Sequence, residues 1–386
     1  MIYTTWINRL RGFWLRHYRV FAVTAVAALS GCASVGPQSI AEGRPAYNVA
    51  VQQTNDQELL LNLVRIFYRD TLYFTSVERI AATMELNQSF GAASLVEGTS
   101  NSFEVPQTSG AGIGRALKSS LSLVGSAARN EKPTVFYAPV EGEKFVRQMM
   151  TPMNPDLLLL LAKSGWSLDR VFALGVQEMN GLKNAPTAAG PTPSREPEFR
   201  DFKEAILLLR ALQREQLIDL AKASGADGVE IRFATAAVDR PETAKLKSLL
   251  KLAPDRDRFR VVTGVEAPDA KTIALTTRPL LSALSYLSQG IVPPPADIKA
   301  GKVRQTQRAN QDPFDWQVLL SGVFQVHTSD VAPEEASVVV RYRGHYFYIA
   351  DNDLDSKSTF VLITQLMALH SAPAGSSPAL SFSFGK

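Results

Sequence analysis

The chain is nearly without cysteine and poor in histidine. One cysteine, Cys32, stands among 386 residues, with four histidines. A lone thiol excludes an intrachain disulfide. Three histidines follow it, His327, His345 and His370, and none has the i, i+4 spacing or the neighbouring cysteine that a zinc site uses. Long apolar runs are also missing. VFAVTAVAAL, at 20–29, has ten residues, and a membrane-spanning helix needs roughly 20. There is no Gly-x-Ser-x-Gly elbow and no Walker loop. The glycines of GAGIG, 110–114, follow no strand and open no long helix, so they read as loop. Ser248 and Lys251 match Ser-x-x-Lys, but on a short charged helix without the motifs that accompany it.

An excess of charge is absent as well. The 41 basic residues exceed the 37 acidic ones by four, and residues 1–31 alone hold four arginines and no acid. Beyond residue 31 the chain therefore carries 37 basic against 37 acidic residues. A neutral body gives no electrostatic footprint for nucleic acid.

What is present begins with Arg9, Arg11, Arg16 and Arg19, then the apolar run, then small residues up to Cys32. A positive head, a short apolar middle and a small-residue exit form a secretory signal over 1–31. Leu29-Ser30-Gly31-Cys32 resembles the lipobox of bacterial lipoproteins. That resemblance implies cleavage before Cys32, acylation of its thiol and new amino group, and attachment to outer-membrane lipid. In lipoproteins of Gram-negative bacteria an aspartate after the cysteine favours inner-membrane retention. Ala33 here implies the outer membrane, with the body facing the periplasm. Several acyl chains, at about 0.8 kcal/mol per buried methylene, hold a protein on a membrane. Two stretches of the body, TNDQELLLNLVRIFYRD at 54–70 and VRYRGHYFYIADNDLDSKSTF at 340–360, resemble proteobacterial outer-membrane lipoproteins without assigned activity. This resemblance brings no catalytic residues.

Composition divides the rest. Residues 32–45 are small and polar and read as a tether. Proline-rich stretches at 184–197 and 292–313 read as linkers, setting off an N-terminal α/β region (46–183), a middle α/β region (198–291) and a C-terminal α+β unit (314–386). Thr54-x-x-Gln57 has the capping-box pattern and predicts a helix start, with Leu60, Leu63, Val64 and Phe67 on one buried stripe. Asn154-Pro155 predicts another helix start, closed by Gly165. Residues 199–223 predict an amphipathic helix, 170–181 fit helix or strand with a strand ending at Asn180-Gly181 favoured, and 276–290 predict a helix closing at Gly290. In the last unit WQVLLSGVFQVHTS reads as strand, 336–351 as a hairpin turning at Arg343-Gly344, 356–370 as helix, and ALSFSF as a final strand. The expected fold class is α+β, with mixed helices, antiparallel sheets and a long hairpin-like segment near 76–138.

That segment has the alternation of long paired strands. Ile80, Ala82, Met84 and Leu86 alternate with Ala81, Thr83, Glu85 and Asn87, and Leu117, Ser119, Leu121 and Leu123 alternate with Lys118, Ser120, Ser122 and Val124. A Gly/Ser-rich crest lies between them. Such a hairpin is either a surface loop or one part of a transmembrane barrel completed by other subunits, since open edges are forbidden in lipid.

The remaining polar cluster is Asp351-Asn352-Asp353-Leu354-Asp355-Ser356. Alternating aspartates suggest a calcium loop, with Asp351, Asp353 and Asp355 as candidate ligands. Ser356 stands where the turn glycine belongs, however, and Leu362 where the bidentate glutamate belongs. Capping of the next helix is the favoured reading. Arg341, Tyr342 and Arg343 are then expected to pair with these acids. No cofactor, metal or catalytic constellation is expected, and enzymatic activity is not. The function classes are a lipid-anchored scaffold or adaptor that binds envelope proteins, and a subunit of an oligomeric outer-membrane export or pore assembly.

Overall fold

Residues 35–94, 121–190, 193–222, 229–265, 269–371 and 379–384 are described in the computed structural model of the chain. Ten helices and twelve strands among them make an α+β protein with three sheets. The chain divides into two compact units, Met1–Phe74 with Glu141–Ala372, and Thr75–Val140 with Pro373–Lys386.

Unit 1 is built on a six-stranded sheet in the order β4 (Leu182–Lys183), β3 (Val176–Met179), β8 (Thr272–Thr277), β7 (Arg258–Thr263), β6 (Val229–Phe233), β5 (Ile218–Lys222). Neighbours are antiparallel except β7 and β8. Five of the six β8 residues are buried, as an interior strand requires. The Asn180-Gly181 turn lies between β3 and β4 with φ of 47° and 83°, the double positive φ that favours Asn-Gly in a two-residue hairpin. The strand read over 170–181 is therefore only its last part. Leu168–Gly175 is a helix in which Leu168 and every residue from Val171 to Gly175 are buried, the all-round burial of an interior helix.

Helix α1 (Val35–Tyr68) runs through both the tether reading and the capping box. Thr54 sits inside it, and its hydroxyl donates to the carbonyls of Ala50 and Val51 at 2.9 and 3.0 Å. A hydroxyl satisfied this way bonds the preceding turn instead of opening a new helix. Helices α2 (Glu143–Met150), α3 (Pro155–Lys163) and α4 (Leu168–Gly175) follow. In α3 the Asn154 cap accepts from the Asp156 N–H at 2.9 Å, with Pro155 at the first position.

The long helix read over 199–223 is shorter. Helix α5 (Arg200–Arg214) buries Phe202, Ala205, Ile206, Leu209 and Leu212. Gln216 then takes φ 56° and the chain becomes edge strand β5. Arg214-Glu215-Gln216 interrupts the apolar stripe, and Leu217, just before the strand, and Leu220 within it are buried instead. Helices α6 (Pro241–Leu249), α7 (Leu280–Ser288), α8 (Pro295–Lys299) and α9 (Gln317–Leu320) complete the middle of the unit.

Neither proline-rich stretch divides compact units. In 184–197, Asn184, Ala185 and Ala188 are buried, and Arg195 bridges to Gln307. In 292–313, Asp297, Val303 and Thr306 are buried, and the Thr306 hydroxyl donates to the Pro193 carbonyl at 2.8 Å. The two stretches hold each other, so proline marks here an irregular path and not a linker. The C-terminal sheet has the order β10 (Ala336–Tyr342), β11 (His345–Ala350), β9 (His327–Ser329), followed by α10 (Leu354–Ser371). The strand read in WQVLLSGVFQVHTS is helix α9 followed by the three residues of β9.

Unit 2 is the long hairpin. β1 (Thr75–Ser94) and β2 (Leu121–Pro139) pair antiparallel from Thr75↔Pro139 to Ser94↔Leu121. At about 3.3 Å per residue β1 spans about 66 Å. The final strand β12 (Ala379–Phe384) leaves the C-terminal unit in which the sequence placed it, and pairs parallel with Arg79–Met84 of β1. The crest, including 110–114, Leu117 and Ser120, lies outside the described residues.

Gly290 tests this packing. A Cβ there would stand 2.7 Å from the Phe324 carbonyl oxygen, where Val326 N–H also bonds the Gly290 carbonyl at 3.0 Å. Gly290→Ala should cost about 1–3 kcal/mol, whereas Gly190→Ala, which meets nothing within 4 Å, should change stability by less than about 0.5 kcal/mol. Chemical denaturation of the two variants checks the difference.

Candidate functional site

Two carboxylates fasten the end of α1 to the C-terminal half of unit 1. The buried stripe of α1 ends at Phe67 and Tyr68. Arg69 then turns to φ 63°, with its N–H on the Ile66 carbonyl and the Asp70 N–H on the Arg65 carbonyl. This left-handed helix end presents Asp70 to the β10–β11 turn. Arg343 and Gly344, at φ 49° and 93°, form that two-residue turn. The Tyr342 hydroxyl donates to Asp70 Oδ2 at 2.6 Å, and Arg343 Nη2 donates to both Asp70 oxygens at 3.0 and 2.8 Å. The Arg343 guanidinium also lies over the Tyr68 ring, 4.7 Å from its centroid, a cation–π contact.

The second carboxylate is Asp297, in α8, with 1% of its surface exposed. It accepts from the Tyr68 hydroxyl at 2.6 Å and from Lys302 Nζ at 2.8 Å. His345 Nε2 lies 4.0 Å from it, and His345 Nδ1 bonds Asp330 Oδ1 at 2.6 Å. The Tyr68 ring packs against Tyr342, edge-on against Phe347, and edge-on against Phe67.

These contacts fix protonation. The bonds from Lys302 and Tyr68 hold the Asp297 carboxyl below the usual carboxylate range, against burial. Burial, and then the Asp297 carboxylate, push the Tyr68 hydroxyl well above its usual range, so it remains a donor. At Asp70 burial acts upward, but the Tyr342 and Arg343 bonds prevail and hold the carboxyl low. An ionised acid enclosed by donors and a phenol kept neutral make a clamp. They do not make a nucleophile with its base. The described grooves border α5, one lined by Lys183, Glu198 and Asp201, the other by Lys203, Leu207 and Val318, and neither is lined by a clamp residue.

The aspartates singled out in the sequence go to separate partners. Asp353 caps α10, accepting from the Ser356 N–H at 3.0 Å and hydroxyl at 2.5 Å. Asp351 Oδ1 takes Lys357 Nζ at 2.7 Å, and Asp355 Oδ1 takes Arg170 Nη2 at 2.7 Å. Tyr342 and Arg343 pair with Asp70 and not with this cluster, and Arg341 lies over Tyr346. Among the described residues no group of three His, Cys, Asp or Glu is placed to hold a metal ion. Cys32 lies outside the described residues.

Sequence reading passed over Tyr68, Asp70, Asp297, Lys302 and Asp330. Tyr68 carried a usable signal, since it falls four residues after Val64 on the buried stripe. Asp297 had none, because its phenol partner is 229 residues away. Arg278 was missed too. It is completely buried at the end of β8, donates to the Asn184 carbonyl, and stacks with its guanidinium 4.5 Å from the Tyr286 centroid. Burial lowers Arg278 to about 10 and raises Tyr286 to about 12. No family model matches this sequence, and no match is found among the curated proteins or the solved structures.

The clamp predicts a pH signature. Depressed carboxylates contribute stability that is complete above the unfolded pKa, near 4, and is lost as pH falls through the lower folded value. Asp297→Asn should lower stability at pH 7 by about 3 kcal/mol, and its deficit should shrink as pH falls below about 4. Denaturant titrations at pH 7 and pH 3 check this, and an equal deficit at both would contradict it.

Proposed function

We propose that the protein is a lipid-anchored outer-membrane lipoprotein whose unit 1 is a non-catalytic scaffold or adaptor facing the periplasm and binding other envelope proteins. The signal-like 1–31 and the lipobox-like LSGC support the attachment. The observation that carries the scaffold reading is the course of α1. It begins at Val35, three residues past Cys32. Among residues 43–55 only Gly43, Tyr47 and Val51 are even half-buried, while Leu59, Leu60, Leu63, Val64, Phe67 and Tyr68 are buried. From Val35 to Glu58 the helix rises about 36 Å. A helix exposed over most of 43–55 and clamped at its far end by Asp70 and Asp297 suits a body held off a lipid surface, with Pro45 inside it removing one backbone hydrogen bond. The polar groups of the clamp join elements to one another, which supports a structural part over a catalytic one.

Cys32→Ser tests the attachment. It should abolish incorporation of labelled palmitate and leave the precursor uncut or released. Palmitate still incorporated into that variant would overturn the assignment.

A second reading, a subunit of an oligomeric outer-membrane assembly using the 76–138 hairpin, is favoured by one observation. The register sets Ile80, Ala82, Met84 and Leu86 in one row with Leu121 and Leu123, and β12 adds Leu380, Phe382 and Phe384 to that row, which also carries Glu131 opposite Met84 and Arg129 opposite Leu86. If the row meets lipid, Leu123→Arg should cost about 2–4 kcal/mol near the bilayer middle and reduce recovery of a detergent-extracted assembly. Ser122→Arg, in the opposite row, should be tolerated. Equal recovery of both variants would remove this reading.

A further inference from the structure

The sheet of unit 2 has a covered half and an open half. Over Arg79–Met84, β1 is flanked by β2 on one side and β12 on the other. Among the described residues it pairs from Glu85 to Ser94 with β2 alone, and β2 is an outer strand throughout. Among the described residues the crest half is thus a two-stranded ribbon with two open edges, an arrangement marginal in water by itself.

Proteins that keep an edge unpaired blunt it with charge, proline or a bulge. The lower part of this hairpin carries such devices. β2 has Arg129, Glu131, Lys132 and Pro133, while β1 has Glu85, and an irregularity between Val77 and Arg79 at Glu78. On both strands they stop at the same level. From Asn87↔Ala128 to Ser94↔Leu121 there are eight consecutive cross-strand pairs with no charged residue and no proline. Two strands 26 residues apart lose their protection together, and both edges there are templates for further pairing.

Strand direction allows these edges to join head to tail. β1 and β2 are antiparallel, so the open edge of β2 meets the open edge of β1 in another copy as an antiparallel pair. That repeats the pairing already made within the hairpin, in the more stable of the two ladder types. In a register of the same parity, the row of Leu86, Phe90, Leu121 and Leu123 continues across the join, as does the row of Asn87, Ser89, Ser122 and Ser126. Joining β2 to a different strand, β1, is a head-to-tail contact. Such contacts close into a ring when the rotation between copies closes and run on as an open filament when it does not, and of the two only the ring leaves no edge.

We propose that Asn87–Ser94 and Leu121–Ala128 are a self-assembly edge, at which β2 of one copy pairs with β1 of the next in a closed ring. The inference rests on the oligomeric reading above only for the use of the hairpin, and not on insertion into lipid or acylation of Cys32.

The full chain in mild detergent, bearing a benzophenone maleimide on Ser126→Cys, tests it, with the unsubstituted chain as the control for Cys32. Irradiation should give covalent species at two, three and more times the protomer mass, with peptide mapping of the larger bands placing the link within 87–94 of a neighbour. Ser89→Cys, labelled on the other strand, should give the same ladder with links to 121–128. Light scattering of the unlabelled protein should give a single mass several times that of one chain. A monomer by light scattering overturns the proposal. So do a monomer whose only link is intrachain between 126 and its pair Ser89, adducts that stop at dimers linked β2 to β2, and adducts with other proteins alone. A ring that forms in detergent yet stays out of vesicles keeps this inference and removes the membrane reading.

Discussion

Everything around the clamp follows from the burial of one carboxylate, Asp297. A carboxylate with 1% exposure is tolerable only when its oxygens are bonded and its charge is matched. Tyr68 and Lys302 supply the bonds, and Lys302 supplies the charge. The chain must therefore bring the end of α1, the turn after α8 and the β11 residue His345 to one place. Proline-rich 292–313 cannot remain a loose connection under that constraint. It folds in, and α8 itself forms on Pro294-Pro295 to present the acid.

Asp70 repeats the device half-exposed, two residues beyond Tyr68. Its bonds to Tyr342 and Arg343 hold the β10–β11 turn against the helix end. The Tyr68 ring touches both systems, since its hydroxyl serves Asp297 and its face carries Arg343. The helix is fixed at one end by two ionised acids and is exposed over most of 43–55, with Pro45 interrupting its backbone hydrogen bonds. In the proposed setting that helix sets the spacing between lipid and body.

The sequence revealed whatever local physics decides. Asn180-Gly181 and Arg343-Gly344 announced two-residue turns because few residue pairs accept two positive φ values. Asn154-Pro155 announced a helix start, and the alternation near 76–138 announced long paired strands. Local patterns failed where tertiary contact outweighed them. Thr54 had the form of a cap but lay inside a longer helix, and the apolar residues after Gln216 served a strand edge. β12 joined β1 from the far end of the chain. Of the candidate site, only the inward position of Tyr68 was legible. Asp297 and Lys302 sit in a stretch whose prolines and basic residues look like a solvated loop, and the partner that buries them is distant in sequence.

The end of α1 and the C-terminal hairpin form one mechanical piece. Native-state hydrogen exchange across a denaturant series measures this directly, because segments that open together share one opening free energy. The amides of Leu59–Tyr68 and of Val338–Ile349 should merge onto a common isotherm, while those of 43–55 in the same helix exchange far faster. Separate isotherms for the helix end and the hairpin, with the hairpin opening first, would contradict the account.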